Sequence, residues 1–165
     1  MMNTLSRTDK EITDIYTRHV KTIYRICFTY MKNSADTEDV VQETFVKFMK
    51  SCGALESEEH EKAWLIRTAT NLCKDNLKHW WRKRENLEDY ENRQGTDIVQ
   101  TDDTLEAVMS LPDKYKTVVY LYYYDGYTSV DISRILSKPQ STIRNYLHEA
   151  RIVLRTKLGS DWNEE

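Results

Sequence analysis

The scarcity of chain-breaking residues is the feature that most constrains the fold of this chain. Of its 165 residues only four are glycine and two are proline, and both prolines lie in the C-terminal third. Glycine and proline end helices and mark turns, so their rarity over the first hundred residues favours long helices over many short strands. The length suits one ordinary domain or two small ones. We therefore expect an all-α protein.

Apolar side chains recur at three- and four-residue spacing through the first half of the chain and predict three helices. The first lies between Asp9 and Met31, and its expected buried face consists of Ile12, Ile15, Tyr16, His19, Ile23, Ile26, Cys27, Tyr30 and Met31. The second is expected to use Ser34 as its N-cap and to reach Met49. The third follows a polar loop, and the three helices together predict a first domain over residues 1–85.

Charge is unevenly distributed along the chain. The net charge is only −3, but residues 62–84 are mainly basic, whereas residues 85–106 are mainly acidic. Residues 86–103 also lack a sustained apolar period, which is typical of an extended, self-repelling linker. Such a chain has a local electrostatic footprint without a strong global one.

A second domain is predicted over residues 104–165, and it contains a helix-turn-helix. An aromatic helix is expected to end at Asp125-Gly126. Thr128 and Asp131 have the spacing of a capping box at the start of the next, short helix. A turn at Ser137–Pro139 leads into the last helix, which presents a polar face made of Gln140, Ser141, Thr142, Arg144, Asn145, His148 and Arg151.

The polar face of the last helix has the chemistry of DNA recognition. Arginine can bind guanine O6 and N7 as a fork, asparagine can pair with adenine, and serine or threonine near a helix start can hold phosphate. The spacing alone leaves two interpretations open, because a solvated face on an ordinary helical hairpin looks the same.

Three segments of the chain, in order, are similar to extracytoplasmic-function (ECF) sigma factors, the promoter-specificity subunits of bacterial RNA polymerase. DTEDVVQETFVKFMK at Asp36–Lys50 resembles the polymerase-binding helix of that family, and AWLIRTATNLCKDNLKHWWRKR at Ala63–Arg84 resembles its promoter-melting helix. Leu111-Pro112 with the following YKTVVYLYYYDGYTSVDISRIL resembles its C-terminal domain. The resemblance implies a sigma region 2 type helical bundle at 1–85, a flexible acidic linker, and a region 4 type helix-turn-helix domain at 104–165.

The resemblance also implies a role for each polar face. The residues implied in polymerase binding, by docking on a basic coiled coil of the clamp, are Asp39, Gln42, Glu43, Phe45 and Val46. Those implied in promoter melting and in contact with downstream-element DNA are Trp64, Arg67, Asn71, Lys74 and Lys78. Reading of the upstream element is implied for the seven polar residues of the last helix. The loop at 51–59 would receive a base flipped from the non-template strand.

The family implies core RNA polymerase and promoter DNA as partners, together with an anti-sigma factor. It implies a protein that catalyses no reaction and needs no cofactor. His19, His60, His79 and His148 have no metal-site spacing, and no Gly-rich phosphate loop occurs in the sequence. No segment has the apolar length of a signal peptide or a membrane span, so we expect a cytoplasmic protein. The rival interpretation is a free-standing helix-turn-helix regulator whose N-terminal helices only dimerise it.

Several positions carry more than one interpretation. Cys27 and Cys73 fit apolar helical patterns and favour packing, whereas Cys52, in an expected loop, leaves a redox role open. Trp80 and Trp81 either stack on bases or pack at the edge of the first domain.

The turn and the last helix depart from the pattern of the family. Ser137 and Lys138 stand where glycine and an apolar residue are common, and Tyr146 and Glu149 stand where polar or basic residues are frequent. Glu149 weakens the attraction to phosphate and can accept a hydrogen bond from cytosine N4. We therefore expect an unusual promoter preference.

Overall fold

The computed structural model describes residues 7–51, 55, 57–84 and 103–158, with the backbone alone at positions 51, 80–84 and 158. Within these residues the chain forms seven helices and no strand, which confirms the all-α class. The redox interpretation of Cys52 and the stacking interpretation of Trp80 and Trp81 concern side chains outside the described residues. The predicted linker lies outside them up to position 102, as do positions 52–54 and 56 of the expected base-receiving loop.

The helices belong to two compact units, which fall within Met1–Ile98 and Val99–Glu165. The helices of the first unit are α1 (Asp9–Met31), α2 (Ser34–Ser51) and α3 (Glu58–Arg84). Those of the second unit are α4 (Asp103–Met109), α5 (Asp113–Tyr123), α6 (Ser129–Leu136) and α7 (Gln140–Leu158).

The core of the first unit forms where each of its helices packs against the other two. Ile23 and Ile26 of α1 and Leu65 and Ile66 of α3 belong to this core, and all four are 0 % exposed. Removal of these side chains from water is the main favourable contribution to the stability of the unit. The same packing of the three helices directs the polar faces of α2 and α3 outwards.

Cys27 of α1 and Cys73 of α3 are free thiols buried in the same core. A hydrogen bond with Cys73, together with burial, raises the pKa of the Cys27 thiol well above its usual range. The thiolate is the reactive form of cysteine, so a thiol in this environment is a poor nucleophile. Both observations support the packing interpretation of these two residues.

Ile12 and Met31, expected on the buried face of α1, are half-buried, and two further details of the first unit differ from the sequence prediction. Ser34 is not the N-cap of α2 but its first helical residue, because the Asn33 side-chain oxygen accepts the backbone N–H of Asp36 at 2.8 Å. Asparagine and serine are about equally good as N-cap residues. Tyr16, expected in the core, is 46 % exposed. It lies at the edge of the α1–α2 contact, where its ring packs on that of Phe45 with a centroid distance of 5.0 Å.

The second unit is built around α5, which packs against α4, α6 and α7. Val119 and Leu121 of α5 are 0 % exposed, as are Ile132 of α6 and Ile143 and Leu154 of α7. The buried positions of α7 recur at three- and four-residue spacing, so its opposite side faces outwards. This packing determines which residues of α7 another molecule can reach.

The predicted capping box closes the start of α6. The Thr128 hydroxyl accepts the backbone N–H of Asp131 at 3.2 Å, and Asp131 Oδ2 accepts the backbone N–H of Thr128 at 3.2 Å. Hydrogen bonds from the hydroxyl and then the N–H of Thr128 lower the pKa of Asp131. Because its folded-state pKa is the lower one, the stability that Asp131 contributes is present above the unfolded-state pKa. It is lost as the pH falls through the folded-state pKa.

Thr128→Ala removes one half of this box and is expected to lower the free energy of unfolding by about 1 kcal/mol. Thermal unfolding of the full chain, followed by circular dichroism, measures the change. Thr156→Ala is the matched control, because the Thr156 hydroxyl donates a hydrogen bond to the Ile152 carbonyl within its own helix, at 3.0 Å. Equal stability of the two variants would contradict the role of Thr128 as a cap.

Candidate functional site

The exposed face of α2 brings together most of the residues implied in polymerase binding. Its members, which we call the α2 stripe, are Asp39, Gln42, Glu43 and Val46. Their spacing of three and four residues places them on one side of the helix. Phe45 is only 7 % exposed and lies beneath the stripe, where it contacts α1 through Tyr16. The stripe is therefore both accessible and supported by a packed aromatic pair.

An apolar groove runs between α1 and α2 beside the stripe. Tyr16 and Met49 line it and are 46 % and 40 % exposed. Large apolar side chains that cluster at a surface usually mark an interaction site. Gln42 and Val46 of the stripe line the same groove. The polar stripe and the apolar groove thus form one continuous surface. Sequence reasoning missed Tyr16 and Met49 as surface residues because both follow the spacing of core positions.

A basic stripe follows one face of α3. Its members are Arg67, Asn71, Lys74 and Lys78, of which Asn71 and Lys78 are exposed and the other two half-buried. Trp64, one turn earlier, is half-buried and packs edge-to-face on Phe48 of α2 with a centroid distance of 5.3 Å. Trp64 therefore joins α3 to α2 next to the basic stripe.

Charged side chains connect the start of α3 to α1. One Glu61 carboxylate oxygen lies 2.6 Å from Nε2 of His19 and 3.1 Å from the Arg18 guanidinium. Arg18 also lies 3.7 Å from a carboxylate oxygen of Glu58. The hydrogen bond to Glu61 is the largest of the causes that raise the pKa of Arg18. Because His19 and Glu61 are largely buried, this cluster helps to position the first turns of α3. No sequence signal had indicated it.

The turn between α6 and α7 keeps a glycine-like conformation without glycine. Ser137 has a φ of 53° and lies in the left-handed region, which costs a residue with a Cβ atom roughly 1 kcal/mol. The Lys138 N–H donates to the Ser133 carbonyl at 3.0 Å and closes α6. The Pro139 carbonyl accepts the Thr142 N–H at 3.0 Å and opens α7. The helix-turn-helix predicted from the sequence is therefore present.

The seven predicted residues of α7 divide into two groups. The exposed ones, which we call the outward face of α7, are Ser141, Arg144, Asn145 and His148. Gln140, Thr142 and Arg151 are half-buried. Gln140 Nε2 donates to the Ser129 hydroxyl of α6 at 3.2 Å, and Arg151 Nε donates to the Tyr123 hydroxyl of α5 at 3.3 Å. The flanks of α7 thus hold the helix in place while its outward face stays accessible.

The described ranges 7–51, 57–84 and 103–158 contain no group of three or more side chains placed to hold a metal ion. None of the helices in those ranges is long and apolar enough to cross a membrane.

Comparison with known families assigns both units. The model for Sigma-70 region 2 matches residues 15–85, which include α2 and α3, and that for Sigma-70, region 4 matches residues 101–154, which include α6 and most of α7. The ECF RNA polymerase sigma factor SigW of Bacillus subtilis (strain 168) is 27% identical, over 90% of this chain and 87% of that protein. This chain belongs to the ECF sigma factors. An ECF sigma factor binds core RNA polymerase, recognises specific promoters and helps to open them.

Further comparisons agree with the family and with the fold. RNA polymerase sigma factor SigV of Bacillus subtilis (strain 168) is 29% identical over 88% of this ECF sigma factor and 89% of the relative. The solved sigma factor RpoE of Bartonella quintana, in complex with the anti-sigma factor NepR, has the same fold. Its TM-score is 0.63 at 19% identity, over 93% of this chain and 99% of that one. A free-standing regulator is not favoured, because the first unit also matches a sigma region.

Proposed function

We propose that this ECF sigma factor binds core polymerase through the α2 stripe and the adjoining apolar groove. The single observation that supports this most is the continuity of the two, since Gln42 and Val46 belong to both. Acidic and amide side chains can make charge-assisted hydrogen bonds to a basic partner, while Tyr16 and Met49 bury apolar area. Phe45 supports the stripe from beneath.

We propose further that the basic stripe of α3 and Trp64 bind downstream promoter DNA. Arg67, Lys74 and Lys78 offer cations to backbone phosphates, and Asn71 can bond to either phosphate or base. These side chains lie on a different helix from the α2 stripe. Polymerase and DNA could therefore be bound at the same time by a single packed unit.

For the upstream element, we propose that the outward face of α7 enters the major groove. Arg144 and Asn145 have the donors and acceptors that read guanine and adenine. Contacts to phosphates or base edges are proposed for Gln140, Ser141, Thr142 and His148. Arg151 is held by Tyr123 through Nε, and its guanidinium lies over the Tyr122 ring, 5.7 Å from the ring centroid, where it adds positive charge at the flank of α7.

The remaining proposals concern the whole protein. The domains are residues 1–85 and 104–165, joined by the acidic linker at 86–103. The protein acts in the cytoplasm and catalyses no reaction itself. An anti-sigma factor is proposed as a regulatory partner, because the RpoE structure with a similar fold contains one.

Transcription with purified components tests the proposed function. The chain and core polymerase are incubated with fragments of the host genome, and transcripts are mapped. We expect transcripts with defined start sites that require both proteins. Their absence from every fragment would contradict the proposal.

Lys78→Ala is expected to weaken binding of the holoenzyme to promoter DNA and to reduce the salt slope by about 0.9, because one phosphate contact is lost. The affinity is measured at several salt concentrations. Lys21→Ala removes an exposed lysine from α1 and is the matched control, with an unchanged slope. A slope that stays the same in Lys78→Ala would exclude Lys78 from the DNA surface.

A further inference from the structure

Glu149 on α7 is bound to another helix. Its carboxylate oxygen Oε2 accepts a hydrogen bond from the hydroxyl of Tyr115, near the start of α5. The Tyr115 ring also meets the ring of Tyr146 edge-to-face, with a centroid distance of 5.5 Å and an interplanar angle of 75°. Both α7 side chains that depart from the family pattern therefore contact the same residue of α5.

Glu149 is exposed, whereas its partner in this hydrogen bond is not. The Tyr115 side chain is buried, with 6 % exposure, so its hydroxyl is presented in a fixed direction. A bond from a hydroxyl to a carboxylate is charge-assisted and stronger than one between neutral groups. The Lys114 ammonium lies 4.9 Å from the centroid of the Tyr115 ring.

Lys114 also provides a positive charge near the carboxylate. A hydrogen bond with Tyr115 is the largest of the causes that raise the pKa of Lys114, and the charge of Glu149 is among the smaller ones. The ammonium therefore stays protonated. It partly balances the charge of Glu149 on the side of α7 that faces α5.

Three other side chains hold α7 in the same way along its length. Gln140 is bonded to α6 and Arg151 to the end of α5. Lys157 Nζ donates to the Ser110 carbonyl, between α4 and α5, at 2.8 Å. Together with Glu149, these contacts secure both flanks of the helix. The outward face of α7 lies between them.

We propose that Glu149 is a positioning residue: bound to Tyr115, it holds α7 on α5 in the orientation that presents the outward face to the major groove, and it reads no base itself. Recognition side chains must lie within about 0.5 Å of their productive positions, so a small rotation of α7 weakens every contact together. The proposal rests on the proposed upstream-element role of α7.

The test uses holoenzyme assembled with Tyr115→Phe, Glu149→Ala, Glu149→Gln and the double variant Tyr115→Phe/Glu149→Ala. Affinity for a mapped promoter, base preference over a randomised upstream element, and thermal unfolding of each chain are measured. Tyr146→Phe is the matched control, because it removes a hydroxyl from the same cluster and keeps the ring contact. Arg144→Ala reports independently whether α7 reads the element.

We expect Tyr115→Phe and Glu149→Ala each to weaken promoter binding about three- to tenfold, and the double variant to be no weaker than either. Glu149→Gln should bind the promoter more tightly than Glu149→Ala, because the glutamine amide oxygen can still accept a hydrogen bond from the Tyr115 hydroxyl. Tyr146→Phe should bind like the unmodified protein. Base preference should stay the same in all of these variants. The ranking of the variants by melting temperature should differ from their ranking by promoter affinity.

Three results would overturn the proposal. Tighter binding by both Glu149 variants would mean that Glu149 repels phosphate. Loss of preference at one base pair in Glu149→Gln, with Tyr115→Phe unaffected, would mean that it reads a base. Unchanged affinity in all the single variants would remove the positioning role. If Arg144→Ala also left upstream preference unchanged, the proposed role of α7 would fail as well, whereas a sensitive Arg144→Ala would confine the failure to Glu149.

Discussion

Replacement of Asp39, Gln42 and Glu43 together by alanine is expected to weaken binding to core polymerase about 100-fold, or ~3 kcal/mol. All three side chains are exposed on α2. Their loss removes two charges and several hydrogen bonds from the proposed interface without disturbing the core, and substitutions at such positions usually change stability little. The affinity of a labelled chain for core polymerase, measured by fluorescence anisotropy, gives the effect.

A charge-matched variant distinguishes a specific interface from a general loss of negative charge. Asp14→Ala/Glu59→Ala also removes two carboxylates from exposed positions of the first unit, one on α1 and one on α3. We expect its affinity for polymerase to change less than about twofold, since exposed charges contribute little individually. Equal affinities of the two multiple variants would show that the α2 stripe is not the binding surface.

Replacement of Arg144 by alanine is expected to weaken recognition of the upstream element by about 1–3 kcal/mol and to relax preference at one base pair. Arg144 is exposed on the outward face of α7, where its guanidinium can reach guanine O6 and N7 as a fork. The measurement compares holoenzyme binding to the preferred promoter and to versions with each upstream base pair exchanged.

Arg134→Ala is the control for this prediction. Arg134 is also exposed and also belongs to the helix-turn-helix, but it lies in the last turn of α6. Its loss should leave the base preference unchanged, whatever it does to overall affinity. A base preference that is the same in Arg144→Ala and in the unmodified protein would refute a base-reading role for Arg144.

Helix positions and types were predictable because they depend on short-range chemistry. The box of Thr128 and Asp131 spans a few residues, and its two reciprocal hydrogen bonds are present as expected. The predicted start of α2 was wrong by one residue, because Asn33 and Ser34 can both act as caps. The choice depends on which side chain reaches the free N–H groups, and sequence spacing alone does not specify that.

The candidate site was predictable in part for the same reason. Helical periodicity places Asp39, Gln42 and Glu43 on one face whatever surrounds the helix. The same periodicity grouped Tyr16 with the core, although it lies at the edge of the α1–α2 contact. Lys116 is the converse case: a charged side chain that is 2 % exposed and paired with Asp113 at 3.1 Å, for which the sequence offered no signal.

By itself the sequence determined the all-α class, the order of the helices, the polar faces of α2, α3 and α7 and, through resemblance, the family. Only the tertiary structure decided which apolar side chains stay exposed beside the α2 stripe and how Glu149 is used. Tyr115 and Glu149 are 34 positions apart, and His19 and Glu61 are 42 apart. Helical spacing is a property of the local backbone, whereas burial and pairing depend on which distant element covers a given face.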